Sequence, residues 1–349
     1  MYTKKLIRSR APLRIGLAGG GTDIYSFFSD YKGNVLNVTI NLYANCTIEN
    51  IEKTQVQLLS LDKNESYKIP IKEMEKINFS KNSNLSLIFY TIKKIINKFE
   101  IKLSEGIKIT TYLEVPGGSG LGSSSTLVVA IIQALSDYFN LPLSKYEIAN
   151  LAYSIERIDL KMLGGKQDQY AATFGGINFM EFLKDGNVIV NPLKLRNSIY
   201  NELESSIVLY YTGVSRNGSK IIENQIENIN LKKSTTINSL KKMLIECEEF
   251  KQILLQEKLH KIPSVFKSSW SYKKKIAKNV SNAHMDNFIT LCLKNGAYAA
   301  KWSGAGGGGF VIFYCNPSKK YKFLEFLSSC DGEIYNFSFT DRGCESWQI

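Results

Sequence analysis

Histidine is almost missing from this chain: only His260 and His284 occur among 349 residues. A histidine-based triad or a zinc site therefore has little to draw on. The six cysteines, Cys46, Cys247, Cys292, Cys315, Cys330 and Cys344, are scattered without a CxxC spacing, so a thiolate metal site is excluded as well. No apolar run approaches the ~20 residues of a membrane helix, and MYTKKLIRSRAPLRIG has no apolar core followed by a small-residue cleavage site. The expectation is a cytoplasmic enzyme that does not meet a membrane. No GxxxxGKS or GxxxxGKT is present, which excludes a P-loop kinase.

Acidic residues are also short, 32 against 44 lysines and arginines, for a formal charge of +12. The lysines come in ones and twos, and the densest run, Lys273 to Lys275, is brief. This pattern fits an anionic small molecule and a solvated lysine-rich surface better than a nucleic-acid partner, for which no motif with interleaved aromatics is present. A hydrophobic content of 44% in a chain of this length is enough for two domains sharing a cleft, expected at 1-205 and 206-349.

The most informative stretch is Glu114 to Asp137, EVPGGSGLGSSSTLVVAIIQALSD. Pro116, Gly117, Gly118, Ser119, Gly120, Leu121 and Gly122 form a glycine-rich turn. Ser123, Ser124 and Ser125 then fall where a helix N-cap and first turn favour hydroxyls. A largely apolar helix follows, which burial would hold still. Unpaired amides and a positive dipole end at a helix N-terminus suit a phosphate, so this stretch reads as a phosphate cradle.

In chain order, RAPLRIGLAGGGTD is a strand broken by Gly19, Gly20 and Gly21 before Thr22 and Asp23. Arg14 and Asp23 are groups that bind phosphate or sugar hydroxyls, although Asp23 could equally cap the helix IYSFFSDY. Strands are expected at Asn34 to Thr39, Tyr43 to Ile48, Gln55 to Ser60 and Gly106 to Glu114, and a helix at Ser86 to Phe99. Ser144 and Glu147 form a capping box for a helix ending near Asp159. Within it, Glu156 reads locally as a solvated residue at an unfavourable helix end. Asp168, after a glycine turn, could cap Gln169 onward. Further on come a strand at Ser206 to Tyr211 with the exit loop TGVSRNGSK, a helical region from Ile222 to Leu259, and a helix near Asn287 to Asn295. The final loop, KWSGAGGGGFVIFYC, contains a formal GxGxxG at Gly304, Gly306 and Gly309. It leaves a helix and enters a strand, the reverse of the dinucleotide-binding arrangement. Its expected role is close approach to backbone or phosphate.

Three glycine-rich motifs in this order resemble the GHMP kinase superfamily: RAPLRIGLAGGGTD, PGGSGLGSSST and KWSGAGGGGFVIF. The resemblance covers essentially the whole chain. It implies an α+β fold of two domains, an N-terminal ribosomal-protein-S5-like domain and a C-terminal ferredoxin-like α/β domain, with the active site between them. GGGTD, GGKQDQYAATFGG and FSFTDRGCESWQI are similar to D-glycero-D-manno-heptose 7-phosphate kinases. The implied reaction is ATP-dependent phosphorylation of the anomeric hydroxyl of that sugar; another sugar 1-kinase, such as an L-fucokinase, or a non-catalytic binding regulator are the alternatives.

Residue by residue, the resemblance implies that Asp168 is the catalytic base with Arg14 beside it, and that Ser124 and Glu156 hold Mg²⁺. The cradle from Pro116 to Ser125 would bind ATP. Arg10, Gly20, Gly21, Thr22, Asp23, Gly304, Gly306 and Gly307 would meet the substrate. The motif departs from galactokinases at Gly20 and Gly21, where glutamate and histidine are usual. Arg10, Arg157, Lys161 and Lys166 are the candidates for a far-end phosphate. Expected partners are ATP and a sugar phosphate, with a homodimer as the assembly.

Overall fold

The computed structural model describes residues 5–79, 85–214 and 218–349. The middle of the TGVSRNGSK loop lies outside the described residues.

The first sheet begins with β1 (Leu6–Ala18) and, after helix α1 (Tyr25–Tyr31), continues with β2 (Gly33–Ile51), β3 (Gln55–Ser60) and β4 (Glu65–Pro70). Helix α2 (Ser86–Lys98) leads to β5 (Gly106–Leu113), followed by α3 (Ser123–Tyr138), α4 (Lys145–Ser154) and α5 (Gln167–Phe174). Strands β6 (Ile177–Phe182) and β7 (Val188–Pro192) end this part, and α6 (Asn197–Ser206) crosses to the second sheet. There β8 (Ile207–Tyr211) is followed by four helices, α7 (Gly218–Asn230), α8 (Ser234–Leu255), α9 (Ile262–Lys273) and α10 (Ala283–Lys294). Strands β9 (Ala297–Trp302) and β10 (Phe310–Cys315), helix α11 (Lys320–Ser328), and strands β11 (Glu333–Tyr335) and β12 (Glu345–Gln348) complete the chain.

Strand order is β12-β1-β2-β5-β3-β4 in the first sheet, with β6 beside β2 and β7 beside β6, and β11-β8-β10-β9 in the second. Among the described residues only β3 and β5 pair in parallel. The expected strands Asn34 to Thr39 and Tyr43 to Ile48 are one 19-residue strand, β2. It spans both because its first half pairs with β6 and its second half with β5, while β1 runs along it throughout apart from irregular steps near Pro12 and Gly16. The last strand, β12, returns to pair with β1, so the C-terminal residues join the first sheet.

The helical region expected from Ile222 to Leu259 is two helices. The chain breaks at Lys232, whose φ of 51° is left-handed. The helix started by the Ser144–Glu147 capping box is present, but it turns π-helical over Ile155–Asp159.

Helix α3 is buried nearly all round, from Leu127 to Leu135, beneath β1 and β2. A second core joins the two sheets: Leu13, Ile15 and Val38 from the first sheet with Phe250 and Phe266 from α8 and α9 and Ile312 from β10. Burying each such side chain is worth roughly 1.5–3 kcal/mol, so the sheets hold a fixed relation and the cleft between them keeps its shape. No helix among the described residues is long and apolar enough to cross a membrane.

Candidate active site

The cradle and the last glycine loop meet backbone to backbone. The Phe310 N–H donates to Ser119 O at 3.0 Å, and Ser303 Oγ donates to Gly120 O at 2.8 Å. A Cβ on Gly304 would lie 2.7 Å from Gly120 Cα, and one on Gly309 would lie 2.3 Å from Ser119 O. Side chains are excluded here by contact. Both loops line a cleft of about 270 Å³, together with Arg14, Asp23, Glu156 and Asp168.

Helix α3 starts at Gly122, left-handed at φ 81°, and no side chain caps it. The serines expected as caps are in the first turn, and two have other partners. Ser124 Oγ donates to Glu156 Oε1 at 2.9 Å, and Ser125 Oγ accepts from Gln169 Nε2 at 3.0 Å. The first N–H groups of a helix have no intrahelical acceptor, so those of this turn are available to an anion.

Asp168 is in the first turn of α5, whose N-cap is Lys166, so it is not the capping residue. Arg14 reaches it from β1. Its Nε donates to Asp168 Oδ1 at 2.7 Å, and its Nη2 lies 2.6 Å from the same oxygen. The third guanidinium nitrogen donates to Gly120 O at 2.7 Å, tying the pair to the cradle. Because Arg14 takes Oδ1, Asp168 Oδ2 carries no hydrogen bond among the described residues. Asp23 does not cap α1 either, since Ile24 is the N-cap. The Asp23 carboxylate accepts from the N–H groups of Gly21 at 3.0 Å and Gln167 at 3.1 Å, which locks the first glycine turn against α5.

Glu156 is fully buried, opposite to the solvated reading. The π-helical turn aims it inward, a device frequent at functional sites. Its carboxylate meets Ser124 and Gln169, and Arg157 Nη1 stands 3.8 Å away.

Not every expected contact residue reaches the cleft. Gly118, Gly120, Gly122, Ser123, Ser124, Ser125, Gly21, Asp23, Gly304 and Gly306 line it. Pro116, Gly117, Ser119 and Leu121 support the cradle from outside; Ser119 and Leu121 are fully buried. Thr22 is also buried, its hydroxyl within 2.8 Å of Gly19 O and Asn34 O, and Gly307 is held by its N–H to Val280 O at 2.9 Å.

Arg10 is a correction. Four residues before Arg14 on the strand, it pairs with Glu345 at 2.6 Å and covers the Tyr43 ring, away from the cleft. Of the far-end candidates only Arg157 lines the cleft. Lys166 donates to Gly186 O at 2.6 Å, and Lys161 is exposed. Sequence reasoning missed Gln167, Gln169 and Gln225; the last, from α7, donates to Gly21 O at 3.0 Å. It also passed over Lys273 and Lys301, which burial lowers to about 8 and about 7.

Comparison with known proteins gives this geometry a family. The model of the GHMP kinases N terminal domain matches residues 86–176, and that of the GHMP kinases C terminal matches residues 271–331. A Campylobacter jejuni protein named D-glycero-alpha-D-manno-heptose 7-phosphate kinase is 44% identical, over 99% of this chain and 100% of its own. The chain belongs to the GHMP kinases. As a GHMP kinase it is an ATP-dependent phosphotransferase. A Bacteroides thetaiotaomicron structure named D-glycero-D-manno-heptose 1-phosphate kinase is 37% identical, with a TM-score of 0.81 over 98% of this chain and 99% of its own. A Methanococcus jannaschii mevalonate kinase structure, at 22% identity and a TM-score of 0.76 over 95% and 98%, shares the fold. The expected α+β GHMP kinase fold is thus the observed one.

Proposed function

We propose that this kinase transfers the γ-phosphoryl group of ATP to the anomeric hydroxyl of D-glycero-D-manno-heptose 7-phosphate, giving the 1,7-bisphosphate for nucleotide-activated heptose synthesis. The names of the Campylobacter and Bacteroides relatives support the sugar, and the observation that carries the reaction is the Arg14–Asp168 pair bonded to the cradle carbonyl of Gly120.

Phosphoryl transfer asks the protein mainly to position nucleophile and leaving group and to neutralise charge. The amides of the cradle and of the first turn of α3 receive the ATP phosphates. Asp168 Oδ2 orients the sugar hydroxyl and accepts its proton as the new P–O bond forms, while Arg14 fixes the carboxylate through Oδ1. Asp23, pinned by the Gly21 and Gln167 N–H groups, presents its carboxylate edge to the sugar hydroxyls.

Ser124 and Glu156 suit Mg²⁺. Mg²⁺ retains waters and phosphate oxygens and takes one or two protein oxygens, and these two oxygen donors stand 2.9 Å apart beside the cradle. Such an ion, when bound, neutralises the phosphate oxygens.

The test is an ADP-release assay with Mg-ATP against D-glycero-D-manno-heptose 7-phosphate, the corresponding 1-phosphate, the unphosphorylated heptose, L-fucose, galactose and mevalonate. Selective turnover of the 7-phosphate is expected, and preference for any other member rejects the substrate.

A further inference from the structure

Beside the cleft, and opening from it, is a recess of about 40 Å³. Arg14, Gln167, Lys273, Ser303 and Gly304 line both spaces, so a ligand held at Asp168 can extend from one into the other. The volume is several times the ~10–15 Å³ one water needs, enough for a small polyatomic group and too little for a sugar ring.

The recess is built for an acceptor. Lys301 is 8% exposed. Its ammonium donates to Leu17 O and sits 4.6 Å over the Phe266 ring. Lys273, half-buried, donates to Gly20 O at 3.3 Å. Neither lysine has a carboxylate within 4.0 Å among the described residues, and each ammonium carries three donors. Trp270, 6% exposed, lines the recess, and its buried indole N–H has no partner among the described residues. Desolvated cations with no carboxylate in contact and an orphaned donor are costly arrangements that a ligand would relieve. Gly20 lines the recess, and a Cβ there would sit in ordinary contact with Lys273 Nζ at 3.7 Å.

We propose that this recess receives the phosphate at the far end of the sugar, held by Lys273, Lys301 and the Trp270 indole N–H. The inference rests on the sugar phosphate reading above and replaces the far-end candidates Arg10, Lys161 and Lys166, which face elsewhere. Donor-only groups with two or three positive charges select an acceptor-only dianion over a hydroxyl. Burial lowers Lys273 to about 8 and Lys301 to about 7, the direction expected of ammonium groups taken out of water.

The experiment compares wild type, Lys273→Gln and Trp270→Phe, the second of which keeps an aromatic ring at the position and removes the indole N–H. KM is measured for the heptose 7-phosphate and for the unphosphorylated heptose at saturating Mg-ATP. Each variant should raise KM for the 7-phosphate by about tenfold or more, the scale of one hydrogen bond to a charged group, and leave KM for the unphosphorylated sugar and for ATP in place. Undiminished preference for the 7-phosphate in both variants overturns the assignment. Wild-type enzyme with no preference for the phosphorylated sugar overturns the substrate reading itself, and shows this before any substitution is made.

Discussion

Ser124 Oγ donates to Glu156 Oε1 at 2.9 Å, joining the first turn of α3 to the π-helical turn after α4. The two residues are 32 positions apart in sequence, and the Glu156 end of the contact is fully buried. Ser124→Ala removes the hydroxyl and leaves Glu156 with Gln169 and the more distant Arg157. The expected outcome is a higher Mg²⁺ concentration for half-maximal activity, with folding retained. A magnesium titration of the variant checks this, and an unchanged midpoint removes Ser124 from the metal's shell.

Gly122 couples the cradle to the aspartate. Its φ of 81° is left-handed, and a Cβ there would lie 3.1 Å from Asp168 Cγ. Gly122→Ala therefore costs about 1–2 kcal/mol of backbone strain and also pushes on the carboxylate. Thermal unfolding should show a drop of a few degrees (about) for that strain, while kcat falls by more than the loss of folded protein explains. Full kcat in the folded variant would show that Asp168 has room to move.

Substrate affinity should depend on pH. Lys301 faces the Leu17 carbonyl, the Phe266 ring, Arg14, Lys273, and Glu246 and Cys247 of α8; Lys273 faces Gly20 O, Arg14, Asp23 and Asp168. With values lowered to about 7 and about 8, both lysines lose their protons as pH rises from 7 to 9. A phosphate monoester, whose second pKa is about 6, stays dianionic over that range. KM for the sugar phosphate should therefore rise across it, and KM for the unphosphorylated heptose should change less. Parallel profiles for the two sugars would contradict the placement of the phosphate beside these lysines.

Much of this site was legible in the sequence, for local reasons. The cradle announces itself because glycine, hydroxyl and apolar helix must be consecutive to work, and the Ser144–Glu147 capping box is a four-residue signal. The local reading of Glu156 as solvated fails because a π-helical turn, invisible in the apolar spacing, rotates it from solvent to the interior. Arg10 failed for the opposite reason: proximity to Arg14 in sequence says little on a strand, where four residues span about 13 Å. Lys273 and Lys301 were hidden among many surface lysines, and only the packing of α9 and β9 against the glycine turn distinguishes them. Gln225 lies 204 positions from Gly21, and no local pattern could join them.

The central claim is that Asp168 takes the proton of the attacking hydroxyl. Its most direct test is kcat for Asp168→Asn with the heptose 7-phosphate and saturating Mg-ATP, measured alongside nucleotide binding. The account predicts kcat lower by about 10² to 10⁴ fold with ATP still bound. Turnover at the wild-type rate would contradict it.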